Sequence, residues 1–242
     1  KISMKRRSSM ISTSNRISRK EEVDELFAQL GRVLEHKIEA LLIGGAAMLE
    51  QGLKDSTKDI DIVCRTVGDM ETMIASASAL GFQIIGPQKR HERLGINRLA
   101  VKGGHNLDIF ANRISYDFGL SESIWHRAIK SRSFGLLEIR DASPEDIFVM
   151  KLIANRPGDG RDCAVLFSTV LDFDEVYQEI EAQYRRAGEV EQKIWITYIE
   201  EGIGRLEENF NLEMPLGDRV SELADDYRER LYQKLSRSQA GK

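Results

Sequence analysis

Two aspartates one residue apart, Asp59 and Asp61, stand in the alternating run Asp59-Ile60-Asp61-Ile62-Val63. On an extended strand successive side chains point to opposite faces, so residues two apart share one. Both carboxylates then face the same way and can share hard cations, which prefer oxygen ligands. A third acid, Asp108, alternates with apolar residues in Leu107-Asp108-Ile109-Phe110. On a neighbouring strand it would complete a three-carboxylate site. Three carboxylates around two divalent ions ~3.5–4 Å apart are the apparatus of in-line displacement at phosphorus. Gly44-Gly45 follows the apolar run Ala40–Ile43 and precedes a short helical stretch. Glycine lets a backbone approach a phosphate closely, and a helix start offers free N–H groups and a positive dipole end. Metal binding and anion binding are therefore expected to meet here.

The elements that must position these residues follow from hydrophobic spacing. Residues 19–37 carry Val23, Leu26, Phe27, Leu30, Val33 and Leu34, an apolar helical stripe. Residues 40–43 read as a strand, 46–53 as a short helix and 59–63 as the acid-bearing strand. A helix over 69–80 and a strand over 82–86 follow. Strands at 96–101 and 106–111 are joined around Gly103-Gly104, which is a hairpin signal. A helix is expected over 121–131 and a last strand over 134–139. At Ser143-Pro144-Glu145-Asp146 a cap, a first-turn proline and two acids announce a helix. Beyond it only helical spacing recurs, through 147–154, 162–171, 175–184, 190–206 and 219–235. The expected class is α/β (α+β): a small mixed sheet with flanking helices over 19–142, then a helical domain over 143–242.

The glycine pair, the spacer and Asp59-Ile60-Asp61-Ile62 together resemble the signature of the DNA polymerase β-like nucleotidyltransferase superfamily. Asp108 fits the third acid of that signature. The stretch Ser56-Thr57-Lys58-Asp59-Ile60-Asp61 is similar to the branch holding the AbiEii-like and uncharacterised DUF6036-type proteins. So is Ser143-Pro144-Glu145-Asp146 leading to Lys151, with Arg156, Asp159 and Asp162 beyond. The resemblance spans about residues 38–167. It implies magnesium or manganese held by Asp59, Asp61 and Asp108, and a nucleoside triphosphate held by Gly44, Gly45, Thr57, Lys58 and Lys151. The reaction implied is transfer of a nucleoside monophosphate to a hydroxyl of RNA, protein or a small molecule, as in toxin–antitoxin components among others. Many members carry serine as the second residue of the glycine motif. Here the run is Gly44-Gly45-Ala46-Ala47, so phosphate binding falls to backbone N–H groups. A catalytically silent nucleotide- or RNA-binding protein of the same fold is the alternative.

Composition narrows the partners. The 242 residues are 41% hydrophobic and 31% charged with net charge -4, an ordinary globular balance that argues against a chain basic throughout. Basic residues gather in 1–20, which reads as a disordered leader over 1–18 or a nucleic-acid-binding arm. That segment lacks the apolar core of a secretory signal, and no run reaches the ~18 apolar residues of a membrane span. Cys64 and Cys163 read as reduced core residues of a cytoplasmic protein. Lys89, Arg90, His91, Arg93 and Arg98 form a cationic cluster, either solvated or guiding a polyanion. His105 is a possible neighbour of Asp108. Arg156, Asp159, Arg161 and Asp162 read as ion pairs joining the two halves. Trp125 and Trp195 read as core. The helices after 172 suit a homodimer interface as readily as an acceptor site.

Overall fold

The computed structural model describes residues 16–86, 98–103, 105–116 and 118–240. Helix α1 (Lys20–Val33) leads into β1 (Ile38–Ile43), α2 (Gly44–Glu50), β2 (Asp59–Cys64), α3 (Val67–Ala79) and β3 (Gln83–Ile85). Strands β4 (Arg98–Lys102) and β5 (His105–Ala111) form the expected hairpin, and β6 (Arg113–Ser115) and β7 (Phe118–Gly119) a small separate one. Helix α4 (Glu122–Arg127), β8 (Lys130–Phe134) and β9 (Leu137–Asp141) close the α/β half. Five helices follow: α5 (Pro144–Ala154), α6 (Asp159–Phe167), α7 (Phe173–Arg186), α8 (Trp195–Phe210) and α9 (Gly217–Ala240), with a short 3₁₀ turn at Val190–Lys193.

Seven strands make one mixed sheet in the order β3-β4-β5-β2-β1-β9-β8. The pairs β2–β5 and β1–β9 are parallel and the others antiparallel. The central strands are apolar on the α1 side, where Ile60, Ile62, Leu107 and Ile109 are all buried. One apolar core runs from Ile17 through the sheet to Trp195, Val220 and Tyr227 in the helical half. Trp125, Trp195 and the two free cysteines are buried in it, as expected. Ile17, inside the segment read as leader, is buried too, and its backbone exchanges two 2.8 Å hydrogen bonds with Thr57.

The helix expected over 121–131 ends at Arg127, and the strand expected over 134–139 spans the end of β8, the turn at Gly135-Leu136 and the start of β9. Strand β8 lies at the sheet edge, and Lys130, Ser131 and Ser133 are exposed, so no apolar alternation marks it. Gly135 (φ +66°) makes the turn. The Ser143 cap forms as read: its hydroxyl accepts from the Asp146 N–H and Pro144 opens α5. Half-buried Arg127 then ties the halves together, at 2.5 Å from Asp146 and 2.8 Å from Glu179 of α7.

Helix α1 meets the β8–β9 turn at Gly31. A Cβ there would lie 1.6 Å from the Phe134 carbonyl oxygen, and the Leu136 N–H donates to the Gly31 carbonyl at 3.2 Å. Backbone cannot yield as a side chain can. Gly31→Ala is expected to destabilise the protein by about 2 kcal/mol in urea unfolding.

Candidate active site

The acids meet because of strand register. In the parallel pair β2–β5, Asp61 stands beside Asp108 and Asp59 beside Asn106. All four residues belong to the sheet face opposite α1. Asn106 holds Asp59 in place, its Nδ2 donating to Oδ1 at 2.7 Å. Asn106 was not singled out in the sequence, although its position two residues before Asp108 places it on the same face.

The glycine pair closes over these acids. Gly44 has φ +65°, and a Cβ there would lie 2.5 Å from Asp61 Oδ2. A Cβ on Gly45 would lie 2.5 Å from Thr57 Oγ1. Thr57 is fixed in turn, because its hydroxyl donates to the Asp59 carbonyl at 3.0 Å and its backbone pairs with Ile17. Thr57 is thus a buried brace between the glycine turn and the acid strand. Lys58, the next residue, is exposed. Both glycines are there because neighbouring side chains occupy the space a Cβ would take. No side chain caps the first turn of α2.

Asp61 and Asp108 are half-buried. Burial pushes both carboxyls above the usual range; Asp59 pushes Asp61 further while Arg156 opposes it, and Asp61 and Asp59 push Asp108 further. Asp108 Oδ1 is buried without a hydrogen-bond partner among the described residues. Among the described residues no three His, Cys, Asp or Glu side chains are already gathered into a coordination cluster. The acids share a face without converging. Even so, the donor set is all oxygen, and an orphaned carboxylate oxygen beside a second acid fits a hard divalent cation.

These shifts predict a pH dependence. A carboxyl whose folded pKa is raised binds its proton more tightly in the folded state. Its contribution is most favourable below the ordinary carboxylate pKa near 4 and declines as pH rises above it. In metal-free buffer, Asp108→Asn should therefore melt higher than the parent at pH 8, by roughly 3 °C. The difference should vanish near pH 4. Thermal scans with chelator present check this.

A wall of ion pairs flanks the acids. Lys54 Nζ reaches Asp162 at 2.6 Å, Lys151 Nζ reaches Asp162 at 2.7 Å and Asp159 at 2.9 Å, and Arg156 Nε reaches Asp159 at 2.9 Å. The wall joins the α2–β2 loop to α5 and α6: Lys54–Asp162 links the two halves, while Arg156 pairs with Asp159 inside the helical half and Arg161, read with them, makes no ion pair among the described residues. Lys54 was not anticipated. The phosphate-facing role expected of Lys151 is corrected: it lies between Met150 and Leu152 on the buried side of α5, is 6% exposed, and is engaged by two aspartates. Those aspartates hold its pKa above the ordinary value against the opposing effect of burial. Half-exposed Arg156 opposes the upward shift of both Asp61 and Asp108, and Lys151 adds to it at Asp61.

His105 is corrected as well. Three residues along a strand reverse the face, so it points away from Asp108 and lines a cavity with Ile60, Leu26 and Phe82 on the α1 side. Arg98 opens β4 and is exposed, while Lys89, Arg90, His91 and Arg93 lie outside the described residues.

Residues 20–199 match the profile of a family described as a nucleotidyltransferase of unknown function, DUF6036. None of the curated proteins compared with the chain is a significant match. Among solved structures, ANT(2'')-Ia in complex with adenylyl-2''-tobramycin is similar at TM-score 0.48 and 16% identity, over 69% of this chain and 97% of that one. The solution structure of the antibiotic-resistance factor ANT(2'')-Ia gives 0.47 and 15%, over 69% and 92%. An antigenic nucleotidyltransferase-like protein from Paracoccidioides brasiliensis gives 0.39 and 14%, over 84% and 91%. The family match spans well over half of the chain: it belongs to the nucleotidyltransferase family DUF6036.

Proposed function

We propose that the chain transfers a nucleoside monophosphate from a triphosphate to an acceptor hydroxyl, with release of pyrophosphate. One observation carries the reading: Gly44 must be glycine because Asp61 Oδ2 fills the space of its Cβ, with Asp108 beside Asp61 on the next strand. The turn that can present backbone N–H groups to a phosphate is thus locked against the acids. Asp59, Asp61 and Asp108 would hold magnesium or manganese, which when bound supplies charge neutralisation at the phosphates and acidifies the acceptor hydroxyl. Gly44 and Gly45 bind the β- and γ-phosphates through backbone N–H groups. Asp108 Oδ1, which has no hydrogen-bond partner among the described residues, takes the proton of the attacking hydroxyl. The acceptor oxygen forms a bond to the α-phosphorus as the α–β bridge breaks, and the electron pair leaves with pyrophosphate. Lys58, exposed beside Asp59, and Arg156 offset phosphate charge.

Incubation with each α-labelled triphosphate, magnesium and total RNA or soluble small molecules tests this. The reading expects label on an acceptor with matching pyrophosphate release, abolished in Asp59→Asn/Asp61→Asn. Metal-dependent triphosphate binding with no release across all acceptors would instead support a silent nucleotide-binding protein. That reading draws on Gly45 standing where many relatives have a serine.

A further inference from the structure

A cavity of about 290 Å³ opens between the α5–α6 connection and α8, bordered by part of the ion-pair wall. Lys151 and Asp159 belong both to the wall and to its lining. Lys54, which packs near Gly45, belongs to the wall alone. Three arginines line the cavity: Arg156, Arg161 and Arg205. Two are partly neutralised: Arg156 by Asp159, and Arg205 by Glu201. Arg161 is exposed and makes no hydrogen bond or ion pair among the described residues. Helix α6 begins here, and no side chain caps its first turn.

The remaining lining has a different chemistry. Phe210, at the end of α8, is 37% exposed. It sits over Gly160, where an added Cβ would come within 3.3 Å of the ring. Two carboxamides flank it. Asn155 caps α5 in the left-handed region (φ +47°) and accepts from Arg205 Nη1 at 3.0 Å; Asn209 donates to the Arg205 carbonyl at 2.9 Å. An open ring, carboxamides and guanidiniums in one cavity match the parts of a nucleotide: a base to stack, polar edges to pair and a phosphate to neutralise.

We infer that this cavity is a second nucleotide subsite, which seats the terminal nucleoside phosphate of the acceptor. The inference rests on the proposed transfer reaction and names its acceptor class. The base stacks on Phe210, and the phosphate meets Arg161 and Arg205, with Arg156 on the same lining. A free nucleoside phosphate and the end of an RNA chain share this chemistry.

The test uses the full chain, AMP and a fluorescein-labelled single-stranded RNA decamer as probes, with chelator present and no triphosphate. Phe210→Ala and Arg161→Ala/Arg205→Ala should each weaken probe binding at least tenfold, and Phe210→Trp should retain it. Asp59→Asn/Asp61→Asn should bind the probes as the parent does. AMP alone matching the decamer identifies a free nucleotide acceptor, whereas a clear gain for the decamer identifies a chain end. Unchanged probe binding in Phe210→Ala and Arg161→Ala/Arg205→Ala overturns the inference. Loss of magnesium-dependent triphosphate binding in Phe210→Ala also overturns it, since the cavity would then serve the donor. Failure of the transfer reaction itself would show separately, as triphosphate binding that ignores Asp59→Asn/Asp61→Asn.

Discussion

Lys151→Met is expected to destabilise the protein by about 3 kcal/mol, the lower part of the range for breaking a buried ion pair from one side. The substitution leaves Asp159 and Asp162, 4% and 8% exposed, without the ammonium they share. Arg156 still reaches Asp159 and Lys54 still reaches Asp162, which keeps the cost from rising further. Lys54→Ala should cost less than Lys151→Met, because Asp162 keeps Lys151. Urea unfolding of the two variants checks the order. A Lys151→Met protein as stable as the parent, but unable to bind triphosphate, would restore Lys151 as a phosphate contact and refute its role as a buried brace.

Gly44→Ala is expected to lower magnesium-dependent triphosphate affinity at least tenfold. Two effects act together. A left-handed backbone costs a residue with a Cβ roughly 1–2 kcal/mol, and the Cβ itself would lie 2.5 Å from Asp61 Oδ2. Asp61 must move, and the cation site moves with it. Gly52→Ala separates the two effects. Gly52 has φ +74° but nothing within 4 Å of its Cβ position, so it carries the strain without the clash. Both variants should melt lower, and only Gly44→Ala should lose affinity in calorimetry. Equal affinity in the two variants would mean that the glycine turn and the acids do not form one site.

The chemistry-bearing core of this protein is legible because its signals are local. Asp59 and Asp61 need only the period of a strand to share a face, and Gly44-Gly45 needs only to sit between a strand and a helix. Ser143 and Pro144 announce α5 through capping rules that span four residues. What escapes the sequence depends on register and tertiary approach. Asn106 becomes the partner of Asp59 only once β5 is aligned beside β2. Lys54 and Arg156 gain their places from the packing of α5 and α6 against the α2–β2 loop. Lys151 reads as phosphate-facing because periodicity on α5 is lost: every residue from Asp146 to Ile153 is buried, so no polar face marks where a lysine would be solvated. Strand β8 was hidden for the opposite reason, an edge position with few apolar side chains. His105 was misplaced by counting proximity along the chain rather than the parity of the strand.

The central claim is that Asp59, Asp61 and Asp108, closed over by Gly44-Gly45, form one metal and triphosphate site. Calorimetric titration of nucleoside triphosphates, with and without magnesium, on the parent and on Asp59→Ala/Asp61→Ala tests it most directly. The account predicts binding that requires magnesium and disappears in the double variant while its fold persists. Triphosphate binding that survives the loss of both acids, or that ignores the metal, would contradict it.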